Sequence, residues 1–169
     1  MKAKAIVAAL LAAVFFAFPG AGFAGDWIAD TKTGCKVWNP NPTAGEAAAW
    51  TGACKDGFAD GRGVLKWLRG SQPYEQDEGE WRAGRQAGDG TQSWPGGQYK
   101  GQLLDSLPHG SGVLTLGEAR YDGRFLNGKP DGMGVLTNAS GTFSGLWRDG
   151  CFNDGKRRAT LGVSSQSCP

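Results

Sequence analysis

The chain of 169 residues sets 18 Lys and Arg against 16 Asp and Glu and carries 29 glycines, 7 tryptophans and 1 histidine. A nearly neutral charge lacks the basic excess on which nucleic-acid and anionic-lipid binding both lean. With one histidine, a Ser-His-Asp or Cys-His catalytic arrangement could be built only around His109.

Residues 1–24 read as a secretory signal peptide. Lys2 and Lys4 make a basic start, Ala5 to Phe18 is apolar, and Gly22-Phe23-Ala24 supplies small residues for cleavage. As a membrane anchor the run is short against the roughly 20 residues that a spanning helix needs. Cleavage after Ala24 removes two basic residues and no acidic one, so the mature charge falls to about zero and the protein is expected in the periplasm or outside the cell.

Residues 25–49 read as an N-terminal cap, because Pro40 and Pro42 in the stretch Gly34 to Pro42 cannot continue a central strand. All four cysteines, Cys35, Cys54, Cys151 and Cys168, follow the leader, and an even count behind an export signal suggests disulfides. Three connectivities are open in principle. The positions of the cysteines at the two ends of the repeat array favour Cys35 with Cys54 and Cys151 with Cys168. A zinc site competes poorly, since no cysteine pair has the close spacing of a metal knuckle and His109 lies far from them.

Residues 50–155 carry an internal repeat. Trp50, Gly52, Gly57, Gly61 and Gly63 form a comb that returns as Asp77, Gly79, Gly84, Gly88, Gly90, then as Tyr99, Gly101, Ser106, Gly110, Gly112, and again as Tyr121, Gly123, Gly128, Gly132, Gly134. A further copy opens at Phe143, Gly145, Gly150 and then degenerates. The comb resembles the MORN repeat, an aromatic-x-Gly-x-aromatic opening followed by Gly and by Gly-x-Gly. The resemblance is carried by stretches such as Trp50 to Gly57 and Tyr121 to Gly128. Three departures stand out: Asp77 where an aromatic belongs, Ser106 where a glycine belongs, and Asp154-Gly155 where Gly-x-Gly should fall. A Cys-x-x-Trp-Asn-Pro stretch ahead of the array makes the chain resemble secreted bacterial members of that family.

Alternating polarity at both ends of each unit, with glycines between, predicts one hairpin per repeat. The expected fold is all-β: an elongated, twisted antiparallel sheet of stacked hairpins with disulfide-bonded caps, residues 156–169 forming the C-terminal one. Large side chains of one hairpin are expected over the glycines of the next. Gly57, Gly61, Gly84 and Gly128 are expected in turns with positive φ, and Gly52, Gly101 and Gly123 inside strands.

Five residues more than the usual period separate the first two copies, near Gly70 to Glu78, and read as a solvated hairpin tip. Its Glu75, Asp77, Glu78 and Glu80 could instead attract a basic protein surface or a weakly held Ca²⁺, although no calcium-loop spacing is present. Trp67, Trp81, Trp94 and Trp147, with Tyr74, are the candidate binding residues. Exposed, they could stack on sugar or anchor a protein; buried, they are the ladder joining the hairpins. His109 precedes Gly110-x-Gly112 and reads as a turn residue. Lys156-Arg157-Arg158 is the single basic run after the leader, too short to make lipid the main partner.

The sequence therefore predicts a non-enzymatic repeat scaffold without catalytic residues, cofactor or metal, whose partner is an envelope protein. A glycan or peptidoglycan module working through exposed tryptophans is the alternative, and peripheral lipid contact comes behind both. Nucleic acid is not expected as a partner.

Overall fold

The computed structural model describes residues 25–168; the leader assigned to residues 1–24 lies outside them. Short strands β1 (Asp26–Ala29), β2 (Lys36–Asn39), β3 (Glu46–Trp50) and β4 (Ala53–Lys55) precede the long strands. These are β5 (Phe58–Arg69), β6 (Gln72–Arg82), β7 (Arg85–Trp94), β8 (Gly97–Leu104), β9 (Leu107–Leu116), β10 (Ala119–Leu126), β11 (Lys129–Asn138) and β12 (Gly141–Arg148). Strands β13 (Cys151–Asn153) and β14 (Arg158–Thr160) and one turn of 3₁₀ helix complete the chain. All pair into one open sheet in which β5 to β14 follow sequence order. The sheet is mixed rather than wholly antiparallel, because β2 meets β5 in parallel through Lys36 and Phe58.

Every connection inside a repeat is a two-residue turn whose residues both have positive φ, as a type I′ hairpin requires. The pairs are Asp56-Gly57, Ala83-Gly84, Asp105-Ser106, Asn127-Gly128 and Asp149-Gly150. The second strand of a unit starts immediately after this turn, earlier than the alternation suggested. Gly61 therefore has the expected left-handed φ of 81° but lies within β5, not in a turn. It stands directly across from Trp81, as Gly88 does from Leu103, Gly110 from Phe125 and Gly132 from Trp147. Register shifts between Gly79 and Trp81, Gly101 and Leu103, and Gly123 and Phe125 show one bulge in each of the three central hairpins, in line across the sheet. Aligned bulges bend each strand at the same level and crease the sheet along its length.

The in-strand glycines form a single row. Gly63, Gly79, Gly90, Gly101, Gly112, Gly123, Gly134 and Gly145 are consecutive cross-strand partners from β5 to β12. The absent side chains make room for the opener rings. Trp50 covers Gly63 and also Gly52, which lies in the break between β3 and β4 and not inside a strand as expected; Tyr99 covers Gly101 and Gly112, and Tyr121 covers Gly123 and Gly134. The opener rings thus lie over the glycines of their own hairpin, because an opener and its second strand share one register, while Leu103 reaches over Gly90 of the neighbouring hairpin. Each ring's polar tip donates to the carbonyl one residue beyond the glycine: Trp50 to Ala53, Tyr99 to Gln102 and Tyr121 to Arg124. That bond explains why these three openers are Trp or Tyr, whose rings carry a donor. Neighbouring hairpins are joined by Phe125, which meets both Tyr99 and Tyr121 edge-on at 5.1 Å between centroids.

The inserted residues between the first two copies lengthen β5 and β6 to 12 and 11 residues around the tight turn at Gly70 and Ser71. They extend the sheet and do not form a loop. Both ends are closed by disulfides, Cys35–Cys54 and Cys151–Cys168, with Cα separations of 5.8 and 5.7 Å. At the first end the β1–β2 hairpin crosses β5 far enough for the Trp38 N–H to reach the Gly84 carbonyl. Trp27 packs edge-on against Trp38 and Phe58 there, and the Arg85 guanidinium lies 4.2 Å from the Trp38 ring. At the other end β13 and β14 finish the sheet, and the ring of Phe152 takes the place over Gly145 that an opener ring takes elsewhere. Two disulfides fit an oxidising compartment outside the cytoplasm. Among the described residues, no helix is long and apolar enough to cross a membrane.

Candidate functional site

The openers and the large residues that follow the Gly-x-Gly step form a second row beside the glycines: Trp50, Leu65, Asp77, Gln92, Tyr99, Leu114, Tyr121, Leu136, Phe143. Seven of these side chains are apolar or aromatic. The two polar ones, Asp77 and Gln92, are adjacent, and both belong to the second copy. Correspondingly, the buried apolar residues separate into one cluster from Cys35 to Trp81 and another from Tyr99 to Phe152.

The gap between the clusters is filled by hydrogen-bonded side chains. Gln86 is fully buried, its amide sits over Gly79 and Gly90 where other copies place a ring, and it donates to the Glu78 carbonyl at 3.0 Å. Gln92 donates to the Gln86 side chain and to the Ser106 carbonyl. The Gln86 N–H donates to the Ser106 hydroxyl at 3.0 Å, while the Ser106 N–H returns a bond to the Gln86 carbonyl. In the next copies the residue equivalent to Gln86 is Pro108 or Pro130, which accepts from Gly128 or Gly150 and has no N–H to satisfy. Ser106 therefore replaces glycine because Gln86, unlike proline, brings a buried donor that needs an acceptor. The two departures of the second and third copies, Asp77 and Ser106, belong to one polar seam.

That seam opens into a groove of about 590 Å³ along the creased face. Trp38, Asn39 and Pro40 of the N-terminal cap form one wall, Pro108, Gly128 and Lys129 another, and Trp67, Glu75, Asp77, Gln92, Trp94, Tyr99, Leu114 and Leu116 contribute to its lining. Strand alternation divides the acidic cluster of β6. Glu75 and Asp77 face the groove, whereas Glu78 and Glu80 face solvent on the opposite side. Asp77 is 3% exposed; its Oδ2 accepts from the Trp67 indole at 2.8 Å, and its Oδ1 has no partner among the described residues. Burial, and then the neighbouring Glu75 charge, push the Asp77 carboxyl up to about 8. Burial and the Glu46 carboxylate raise Glu75 to about 7, opposed by Arg69. Burial likewise holds the Tyr99 phenol up at about 12.

The candidate binding residues do not form one exposed stripe. Trp81 and Trp147 are 3% and 0% exposed and belong to the packed ladder. Trp67 is buried with its edge on the groove, and Trp94 is half-buried on the same groove. Trp94 and Tyr74 also flank a shallow depression with Pro73 and Pro95, where the Arg69 guanidinium covers the Tyr74 ring at 4.1 Å. His109 lies within β9 beside the bulge rather than in a turn. In the basic run, Arg157 is engaged with Asp154 and the Thr142 carbonyl. Among the described residues no group of three or more His, Cys, Asp or Glu converges as a metal cluster.

A profile of the MORN repeat matches residues 52–72, 78–98, 99–117 and 121–143. The chain belongs to the MORN-repeat family. MORN repeats are associated with interaction, with proteins or with membrane lipid. No curated protein sequence matches this chain. In MORN terms, the second repeat of this chain has exchanged its aromatic opener for a carboxyl and its aliphatic partner for an amide.

Proposed function

We propose that this MORN protein is a non-enzymatic interaction module of the bacterial cell envelope, periplasmic or secreted, that holds a segment of a partner protein in its creased face. The groove carries this reading. It combines aromatic and aliphatic walls with a few buried polar groups, the composition of a recognition cleft, and it draws side chains from the cap and several successive repeats. Rigid hairpins on both sides offer a pre-formed surface, which lowers the ordering cost of binding.

The test is site-specific photo-cross-linking in intact envelope from a benzophenone residue placed at Leu116, in the groove, or at Met133, on the opposite face. A defined protein adduct from Leu116 alone is expected. An adduct from Met133 alone, or none from Leu116, overturns the groove as the docking surface.

The pairing of Trp94 with Tyr74 around a shallow depression favours a second reading, saccharide binding at that spot. Protection of tryptophan fluorescence from acrylamide by peptidoglycan fragments supports it. Protection that persists in Trp94→Ala counts against it.

A further inference from the structure

We propose that the groove beside Asp77 is a binding site for a primary ammonium group, the head of a lysine side chain on the partner segment; this rests on the reading of the groove as a protein-binding surface. Asp77 is almost wholly buried, lines the groove and has one carboxylate oxygen without a hydrogen-bond partner among the described residues. A buried polar atom left without a partner is costly, and the residue that carries this one lines open volume in the groove. Glu75, two residues along the same face of β6, lines the same groove.

The chemistry of the surroundings selects the ligand. Two carboxyls share the groove, and Glu46 adds a further negative charge near Glu75. Of the cations nearby, Arg69 lies over the Tyr74 ring, and Lys129, on the other wall of the groove, is paired with Asp149 at 3.6 Å. A bound cation supplies the missing counter-charge and returns both carboxyls to their ionised form. The indole of Trp67 already occupies Asp77 Oδ2. A guanidinium fork loses its bidentate advantage when one oxygen is taken, whereas an ammonium is a point charge that bonds one oxygen at a time. The rings of Trp94 and Tyr99 line the approach and suit both the methylene stem and the charge. A neutral sugar would leave the paired carboxyls uncompensated. A divalent ion is favoured by further carboxylate ligands, and no third His, Cys, Asp or Glu converges on the two among the described residues.

The test is a titration of the ¹⁵N-labelled protein, disulfides intact, with Nα-acetyl-lysine methylamide, read on the Trp67 indole N–H that bonds Asp77. A saturable shift is expected, at least tenfold weaker in affinity in Asp77→Asn and in Glu75→Gln, and absent with the Nε-acetylated compound. Asparagine can still accept from Trp67, so the first variant keeps the local packing, and the second changes a partly exposed residue. No saturable shift with the amine, an equal shift with its acetylated form, or unchanged affinity in both variants overturns the ammonium site. A shift with N-acetylglucosamine in place of the amine overturns it in favour of a saccharide. If the titration fails while the Leu116 adduct persists, the ammonium site falls and the groove stands; if both fail, so does the groove.

Discussion

The ring of Tyr121 lies over Gly134 on the adjacent strand, and its hydroxyl donates to the Arg124 carbonyl at 3.1 Å. A Cβ on Gly134 would fall inside that ring. Glycine here is a packing requirement, since the φ of Gly134 is not among the left-handed values.

Gly134→Ala should therefore destabilise the protein by about 1–3 kcal/mol, the range for overpacking a filled core. Thermal unfolding followed by circular dichroism measures this. Ser111→Ala, at an exposed position on the other face of the sheet, should leave Tm within a degree or so. A Gly134→Ala protein as stable as the parent would show that the ring does not need the space.

Ser106 has φ of 65°, a conformation in which a side chain is strained and glycine is relaxed. Backbone relief alone would make Ser106→Gly stabilising by about 1 kcal/mol. The same change strips the acceptor from the buried Gln86 N–H, which costs about 1–3 kcal/mol. The second effect should win, and Ser106→Gly should lower Tm. A raised Tm would mean that the seam does not depend on this bond.

Stability should fall as pH rises through neutrality. A carboxyl raised in the folded state holds its proton more tightly there than in the unfolded chain. Its favourable contribution is complete below the unfolded value and is lost as pH climbs to the folded one. For Asp77 that window runs from 3.8 to about 8, and for Glu75 from 4.5 to about 7. Asp154 acts in the opposite sense at low pH. Backbone N–H groups of Arg157 and Lys156 lower it to about 2, so its contribution is lost as pH falls from 3.8 towards that value. Asp77→Asn should flatten the decline of Tm between about pH 4 and pH 8. An identical slope in parent and variant would place the titration elsewhere.

Replacing both Cys35 and Cys54 by alanine should cost about 3 kcal/mol, the chain-entropy value for a loop of this size; the two residues are 19 apart. Cys35 is fully buried in the first apolar cluster, so the cap should loosen as well. Acrylamide quenching of Trp27 and Trp38 should increase, while the far-UV signal of the repeats persists. Unchanged quenching would show that the cap is held by its strand pairing alone.

The repeat, the hairpin as its unit, the two kinds of glycine and the cysteine pairing were legible in the chain because each rests on local geometry. Short spacing sets the strand face, a turn needs positive φ, and a loop of under twenty residues closes easily. Spacing alone assigns Gly61 to a turn, and the structure to a strand, because a bulge glycine and a turn glycine share the same φ. The insertion near Gly70 to Glu78 read as a tip because extra residues between strands lengthen a hairpin or a loop with the same composition.

Local spacing along the chain therefore sets the repeat and its row of glycines, since a ring can lie against a strand only where a side chain is missing. The tertiary structure decided that Asp77, Gln86, Gln92 and Ser106, scattered over residues 77–106, meet in one seam. It also decided that Glu75 and Asp77 turn inward while Glu78 and Glu80 turn outward. The physical reason is cross-strand register. Residues far apart along the chain become neighbours through strand pairing, and a polar pair in an apolar row acquires meaning only once that row is assembled.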